Sequence, residues 1–273
     1  MLSKQEQKII RQAASRHGRR KTGLSLSEGL RCCRELLRHR PTSIERVVAT
    51  PQFAENAVGH RFLTQCGRHG LEPAIVDAKT LSRLAATENP QGVICLFTPA
   101  DPQKPSSAPR DPFVLVLDQL REPGNVGTIL RTAWAAGLHE LWITTGTVDV
   151  YAPKTIRAGM GAQFALDIRR VDDLKDAREH LQNRDFRRLW VSSPRDGLSC
   201  YAPEFDLTAS GLVIGNEAFG SDLAGPGITP VTIPMPGDAE SLNAAQAATI
   251  LLFEGVRRGV LGQKKTTSFT RRA

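Results

Sequence analysis

The sequence predicts an α/β protein with a parallel-sheet domain in its second half and a smaller α/β domain before it. Three observations carry this. Short Val/Ile/Leu-rich runs alternate with amphipathic stretches along the chain. In the second half, "PFVLVLD", a helical stretch ending before Gly137 and "LWITT" succeed one another through short turns, the order of a βαβ unit with parallel strands. Between the halves lies "TPADPQKPSSAPRDP", Thr98 to Pro112, with five prolines and no apolar periodicity, the composition of a semi-extended linker. The expected break falls near residue 108, giving domains 1–108 and 109–273.

Taken in order, the start "MLSKQEQKIIRQAASRHGRRK" lacks an apolar signal core, and Glu6 with the onset of a helical pattern argues against an organellar transit peptide. "SLSEGLRCCRELLRH" reads as one amphipathic helix, with Leu30, Cys33 and Leu37 at helical spacing. "IERVVAT" reads as a strand. Thr50 and Pro51 supply a cap and a first-turn proline for a helix running to about Gly70. "EPAIVD", helical "AKTLSRLAAT" and the strand "GVICLF" complete the first domain. In the second come the strand 113–118, a helix from near Asn125, and the buried-strand candidates "RRLWVSS", "GLVIG" and "VTIPM". A helix from Ser241 to about Val260 is apolar nearly all round from Ala244 to Phe253, so it packs on more than one side, as a core helix or a subunit contact. The tail "GQKKTTSFTRRA" is polar and basic, a disordered composition.

The net charge of +8 and pI near 9.6 lean toward a polyanionic partner. Five scattered cysteines, an odd count, suit a reducing intracellular compartment, and no apolar run approaches membrane-spanning length. Several chemistries lose ground. There is no P-loop signature and no nucleophile elbow, and "GMGAQF" is only a partial dinucleotide-binding pattern. His60, Cys66 and His69 fit no zinc spacing, so no metal is expected.

Three polar, glycine-containing turns remain, each expected at the carboxyl end of a strand: "REPGNVGTILR", "VIGNEAFG" and "IPMPGDAESLN". Ligands of open parallel sheets bind beyond those strand ends. Singly, each turn also has a structural reading: Asn125 as a helix cap, Glu217 as a loop acid, Arg131 as surface cover. Together and in order they resemble the SpoU-like branch of the SPOUT RNA methyltransferases. Asn125, Gly127 and Arg131 match the first motif. Gly215 and Glu217 match the second, and Ile233-Pro234-Met235 with Ser241-Leu242-Asn243 the third. The resemblance covers residues 113–258. "RRKTGLSLSEGL" and "NPQGV" carry a weaker likeness to the ribosomal-protein-L30e-like domain that precedes the catalytic domain in ribosomal-RNA members. The chain departs from the pattern at Gly159, where serine is usual, at Ala244 and Ala245, and at Glu122, where aspartate often stands.

The resemblance implies a deep trefoil knot, a homodimer formed through the catalytic domain, and S-adenosylmethionine as cofactor. It implies methylation of a ribose 2′-hydroxyl, in ribosomal RNA before transfer RNA; a non-catalytic RNA-binding factor on the same fold is the alternative of another class. It places Gly215, Asn216, Ile233, Met235 and Leu242 at the cofactor, and Asn125, Arg131, Glu217, Ser241 and Asn243 at the reaction. Family opinion makes Arg131 the group that activates the hydroxyl. A guanidinium stays protonated, so a charged Arg131 suits binding a phosphate and stabilising the developing alkoxide, with another acceptor taking the proton. The run Arg16, Arg19, Arg20 and Lys21 suits RNA phosphates, or is a solvated charged segment. Aromatic content of 5% offers no base-stacking platform, favouring recognition of folded RNA shape.

Overall fold

The computed structural model describes residues 2–102, 108–215 and 227–261. The chain begins with α1 (Lys4–Ala14), α2 (Arg16–Thr22), β1 (Ser25–Glu28), α3 (Leu30–His39), β2 (Ile44–Ala49), α4 (Pro51–Glu55), α5 (Ala57–Arg68), β3 (Ala74–Ile75), α6 (Ala78–Leu84) and β4 (Val93–Phe97). It continues with β5 (Phe113–Asp118), α7 (Pro123–Ala136), β6 (Glu140–Thr144), α8 (Pro153–Gly159), α9 (Ala162–Ala165), β7 (Asp167–Val171) and α10 (Leu174–Gln182). The last elements are β8 (Arg188–Ser193), β9 (Leu198–Ser199), β10 (Ser210–Gly215), β11 (Ile228–Thr232) and α11 (Ala244–Arg257). The α/β class read from the sequence is the class observed.

Two units form among the described residues. The first joins those up to Asp101 to Val126–Arg131 and Asp149–Ala165. The second holds Pro102–Asn125, Thr132–Val148 and the residues from Leu166 onward.

In the first unit a four-stranded sheet has the order β1-β4-β2-β3, with β4 antiparallel to β1 and β2, and β3 parallel to β2. Ile10 and Ala13 of α1 and Leu81 and Leu84 of α6 pack on Leu26, Val48, Ile94 and Leu96 of the sheet. A reciprocal capping box between Ser3 and Glu6 starts α1. The segment 149–165 is tied to this sheet. The Ser25 hydroxyl donates to the Tyr151 carbonyl at 2.6 Å, and Phe97 meets Phe164 edge to face at 5.3 Å between centroids. Gly127 of α7 lies so close to α8 that a Cβ there would fall 2.6 Å from the Ala158 Cβ and the Thr155 carbonyl oxygen.

In the second unit a seven-stranded sheet has the order β7-β6-β5-β10-β8-β11-β9, and every pairing among the described residues is parallel. β5 and β6 are buried at every position, as in parallel strands covered on both faces. A buried charge on such a strand needs a partner. Glu140 has three donors: the Arg184 guanidinium at 2.8 Å on one oxygen and 3.2 Å on the other, and the Trp142 indole at 2.7 Å.

The structure corrects several element boundaries. "SLSE" is not helical: it is strand β1, and Gly29, at φ 81°, separates it from α3. The expected helix 50–70 is two helices, because the Asn56 side chain caps a new start by accepting from the Val58 N–H. α7 begins at Pro123 behind Glu122, whose carboxylate accepts from the Gly124 N–H at 3.4 Å, so Asn125 lies inside the first turn and is not the cap. β11 ends at Thr232, leaving Ile233–Met235 beyond the strand, and α11 covers 244–257 where 241–260 was expected.

Candidate active site

Within the second unit, the carboxyl ends of β6, β5 and β10 lie side by side. Asp118 ends β5 and sits opposite Gly215, which ends β10. The Thr144 hydroxyl, at the end of β6, donates to Asp118 Oδ1 at 2.7 Å and accepts from the Gln119 N–H at 3.0 Å. Gln119 takes a left-handed φ of 49°, which turns the chain away at the strand end. Burial is the main influence on Asp118 and raises its pKa above the ordinary carboxylate value, with the Thr144 hydrogen bond opposing.

The first and third polar turns are joined directly. Asn243 Nδ2 donates to Asn125 Oδ1 at 2.9 Å across 118 residues of sequence. The same Asn243 caps α11, its Oδ1 accepting from the Ala245 N–H at 2.9 Å. Further along, the Thr132 and Thr249 hydroxyls lie 3.4 Å apart, so α7 and α11 face each other over more than one turn. The side chains preceding the cap are half-exposed: Ile233, Met235, Ser241 and Leu242 are neither core nor fully solvated.

Gly215 differs from Gly127 in its surroundings. Among the described residues, a Cβ on Gly215 would meet nothing nearer than Asp118 Oδ2 at 3.9 Å, so their packing does not demand a glycine there. Gly127, matched to the first motif in the sequence, is the glycine that admits α8.

The remaining sequence-derived residues stand as follows. Asn216 and Glu217 lie outside the described residues. Arg131 is exposed on α7, within the first unit. Arg16, Arg20 and Lys21 are exposed on α2. Arg19 is engaged: its guanidinium pairs with Asp149 at 2.8 Å and its side chain is 11% exposed. Cys66 is buried whereas His60 and His69 are exposed, and no group of three His, Cys, Asp or Glu among the described residues could hold a metal. Asp118 was missed by sequence reading, since it resembled no more than the last residue of a strand. A polar residue ending an otherwise apolar buried run was the available signal.

The fold is that of an α/β protein built on a parallel sheet, with the first and third polar turns joined by the Asn243–Asn125 hydrogen bond. The chain belongs to the SpoU rRNA methylase family, whose model matches residues 112–253, and a second model, RNA 2′-O ribose methyltransferase substrate binding, matches residues 26–103. It is 35% identical over 184 residues to the 23S rRNA (uridine(2479)-2′-O)-methyltransferase of Streptomyces viridochromogenes, covering 65% of this chain and 64% of that one. It is 31% identical over 197 residues to the 23S rRNA (guanosine(2553)-2′-O)-methyltransferase of Bacillus subtilis, covering 67% and 72%. With the mitochondrial rRNA methyltransferase 3 of Mus musculus it shares 30% identity over 62% of its own length, spanning 53% of that relative. Its fold matches the SpoU methyltransferase AviRb of S. viridochromogenes in complex with AdoMet, with a TM-score of 0.77, 26% identity and coverage of 96% and 100%. It also matches an AdoMet-bound rRNA methyltransferase of Sinorhizobium meliloti, at 0.76, 26% identity and coverage of 94% and 96%. No helix among the described residues is long and apolar enough to cross a membrane.

Proposed function

We propose that this protein methylates a ribose 2′-hydroxyl in ribosomal RNA, using S-adenosylmethionine. The observation that carries the reading is the Asn243–Asn125 hydrogen bond at the sheet's carboxyl edge, which joins two of the three motif turns in one place. Relatives named for ribosomal-RNA 2′-O-methylation and AdoMet-bound structural neighbours support it.

In this reading the half-exposed Ile233, Met235 and Leu242 form apolar walls around the cofactor, and Gly215 and Asn216 offer it backbone. S-adenosylmethionine supplies, when bound, an electrophilic methyl on a sulfonium. Asn125 and Asn243 hold the two turns in register, Ser241 faces the substrate, and Glu217 orients the loop. The Arg131 guanidinium binds a substrate phosphate and stabilises negative charge growing on the ribose oxygen, while another acceptor takes the proton. Orientation of the two reactants contributes as much as charge, because in-line displacement requires near-attack geometry.

The finer architecture belongs to the same proposal. The catalytic domain is 109–273, threaded as a trefoil knot, and 1–108 is an L30e-like RNA-binding domain with its linker. Arg16, Arg20 and Lys21 meet RNA phosphates, with Arg19 held by Asp149. Two copies pair through the catalytic domain, an arrangement supported by Phe253, 46% exposed on α11. The site of action is the cytoplasm.

The deciding experiment incubates the protein and methyl-labelled S-adenosylmethionine separately with ribosomal and transfer RNA lacking the modification, and then maps 2′-O-methyl positions. Label in ribosomal RNA at one ribose is expected. Label in transfer RNA alone, or cofactor bound with no label transferred, would replace this reading with one of the alternatives.

A further inference from the structure

We propose that the exposed face of α3, carrying Arg31, Arg34 and Arg38, is a surface that grips the phosphate backbone of RNA. This rests on the reading that the chain acts on RNA and adds a surface distinct from the α2 run. α3 buries Cys32, Cys33, Leu36 and Leu37 against the first unit, which turns residues 31, 34 and 38 outward on one face. The two outer arginines are seven residues apart, about 10 Å along the axis, so each guanidinium can meet a different phosphate.

No carboxylate among the described residues neutralises the three. Glu35, on the same face, is 15% exposed, turned in beside Gly161 and 3.6 Å from His39. The nearest acid before the helix, Glu28, is occupied: its carboxylate accepts from the Ala86 N–H and the Thr87 hydroxyl. A further cation flanks the stripe. Cys32 Sγ lies 3.8 Å from the Ile156 carbonyl oxygen, which sets exposed Arg157 of α8 next to the start of α3. Some arginines of this chain are engaged by acids, as Arg19 is by Asp149, Arg46 by Glu6 and Arg184 by Glu140; the α3 three are set apart by sharing one helix face. Three unpaired guanidinia on one helix face, within residues 26–103 that match the substrate-binding model, fit a polyanion. Their forked donors suit phosphate oxygens bidentately.

The test measures binding of full-length protein to a labelled 23S ribosomal RNA transcript over a range of salt concentrations. R31Q/R34Q/R38Q is compared with R61Q/R68Q/R83Q, which removes the same charge from exposed positions on α5 and α6. The α3 variant is expected to lower the slope of log affinity against log salt by about 2 to 3, and the control by less than about 1. R31K/R34K/R38K should restore most of the slope, because it keeps the charge. Equal slopes for the α3 variant and wild type, or an equal loss in the control, would overturn the proposal. Methyl transfer by wild-type protein is assayed in parallel. Absence of transfer with the α3 effect intact condemns the enzymatic reading alone, and transfer without the α3 effect condemns this inference alone.

Discussion

Asn243 donates from Nδ2 to Asn125 Oδ1 at 2.9 Å while its own Oδ1 caps α11. One amide therefore does two jobs that substitution can separate. Asp at 243 keeps the capping oxygen but cannot donate to Asn125, and places a carboxylate against its carbonyl oxygen. Asn243→Asp is expected to change stability by only a few tenths of a kcal/mol and to lose most methyl transfer. Asn243→Ala removes the cap as well, at about 1 kcal/mol. Urea unfolding and single-turnover assays on the two variants separate these effects; equal activity of N243D and wild type would dismiss the bridge as a functional element.

Arg131 is exposed, and the expected role for its charge lies in the reaction and not in holding the fold. Arg131→Ala is expected to leave the melting temperature and cofactor affinity near wild type and to lower turnover by roughly 10²–10³, the loss typical of removing one preorganised electrostatic stabiliser. Lysine should recover part of the rate through charge alone. Calorimetry with S-adenosylmethionine and rapid-quench kinetics read the two quantities separately.

The strands of the second unit were legible because parallel strands covered on both faces are apolar without interruption: β5, β6 and β10 stand out as "FVLVLD", "ELWIT" and "SGLVIG". β7, "DIRRV", was not, since Arg169 and Arg170 break the apolar run on an edge strand. β1 was misread because Leu26, Leu30, Cys33 and Leu37 fall near helical spacing, and only the pairing of Ser25–Glu28 with β4 reveals the strand. The motif residues were visible as local patterns. The bond between Asn125 and Asn243 was not, because it depends on how the chain brings residues 118 apart together. The use of Gly127 was equally hidden: its neighbour α8 lies about thirty residues on, and no local pattern announces a helix crossing.

Two motif glycines are expected to fail differently. Gly127→Ala would drive a methyl into the Ala158 Cβ and the Thr155 carbonyl oxygen, backbone that cannot yield freely. A stability loss of about 1–3 kcal/mol is expected. Gly215→Ala meets no clash among the described residues, and a glycine-to-alanine change at a compatible position stabilises by about 0.4–1 kcal/mol through the unfolded chain. Its cost should appear in the cofactor, with affinity falling roughly tenfold, about 1.4 kcal/mol. Paired melting curves and titrations would show the opposite signs.

Glu254 anchors the end of α11. Its carboxylate accepts from Arg257 Nη2 at 2.7 Å and from Arg258 Nε at 2.6 Å, and Arg258 also donates to the carbonyls of Cys200 and Ala202. Hydrogen bonding from Arg257, against the opposing effect of burial and with help from Arg258, holds the carboxyl at about 2, below its ordinary 4.5. The stabilisation is therefore complete above 4.5 and is lost as pH falls toward about 2. Glu254→Gln should unfold at lower urea than wild type at neutral pH, and the two midpoints should converge through that acid window. Parallel curves would assign acid sensitivity elsewhere.

Asp118 runs the other way. Burial raises its pKa in the folded chain, so folding takes up a proton in the window between the ordinary carboxylate value of 3.8 and the raised one. Above that window the folded protein carries an ionised, poorly solvated carboxylate and is less stable than the same fold with a neutral group. Asn at 118 keeps a carbonyl oxygen for the Thr144 hydroxyl and removes the charge. Asp118→Asn should accordingly be at least as stable as wild type at neutral pH, with a flatter dependence of stability on pH above 3.8. A variant made markedly less stable at neutral pH would mean that the ionised carboxylate has a favourable partner beyond Thr144. Because Asp118 faces Gly215 across two paired strand ends, the same variant also reports on the site. If the negative charge helps hold a cationic sulfonium there, D118N will lose cofactor affinity while gaining stability, and titration beside the unfolding curves distinguishes that outcome from a purely structural role.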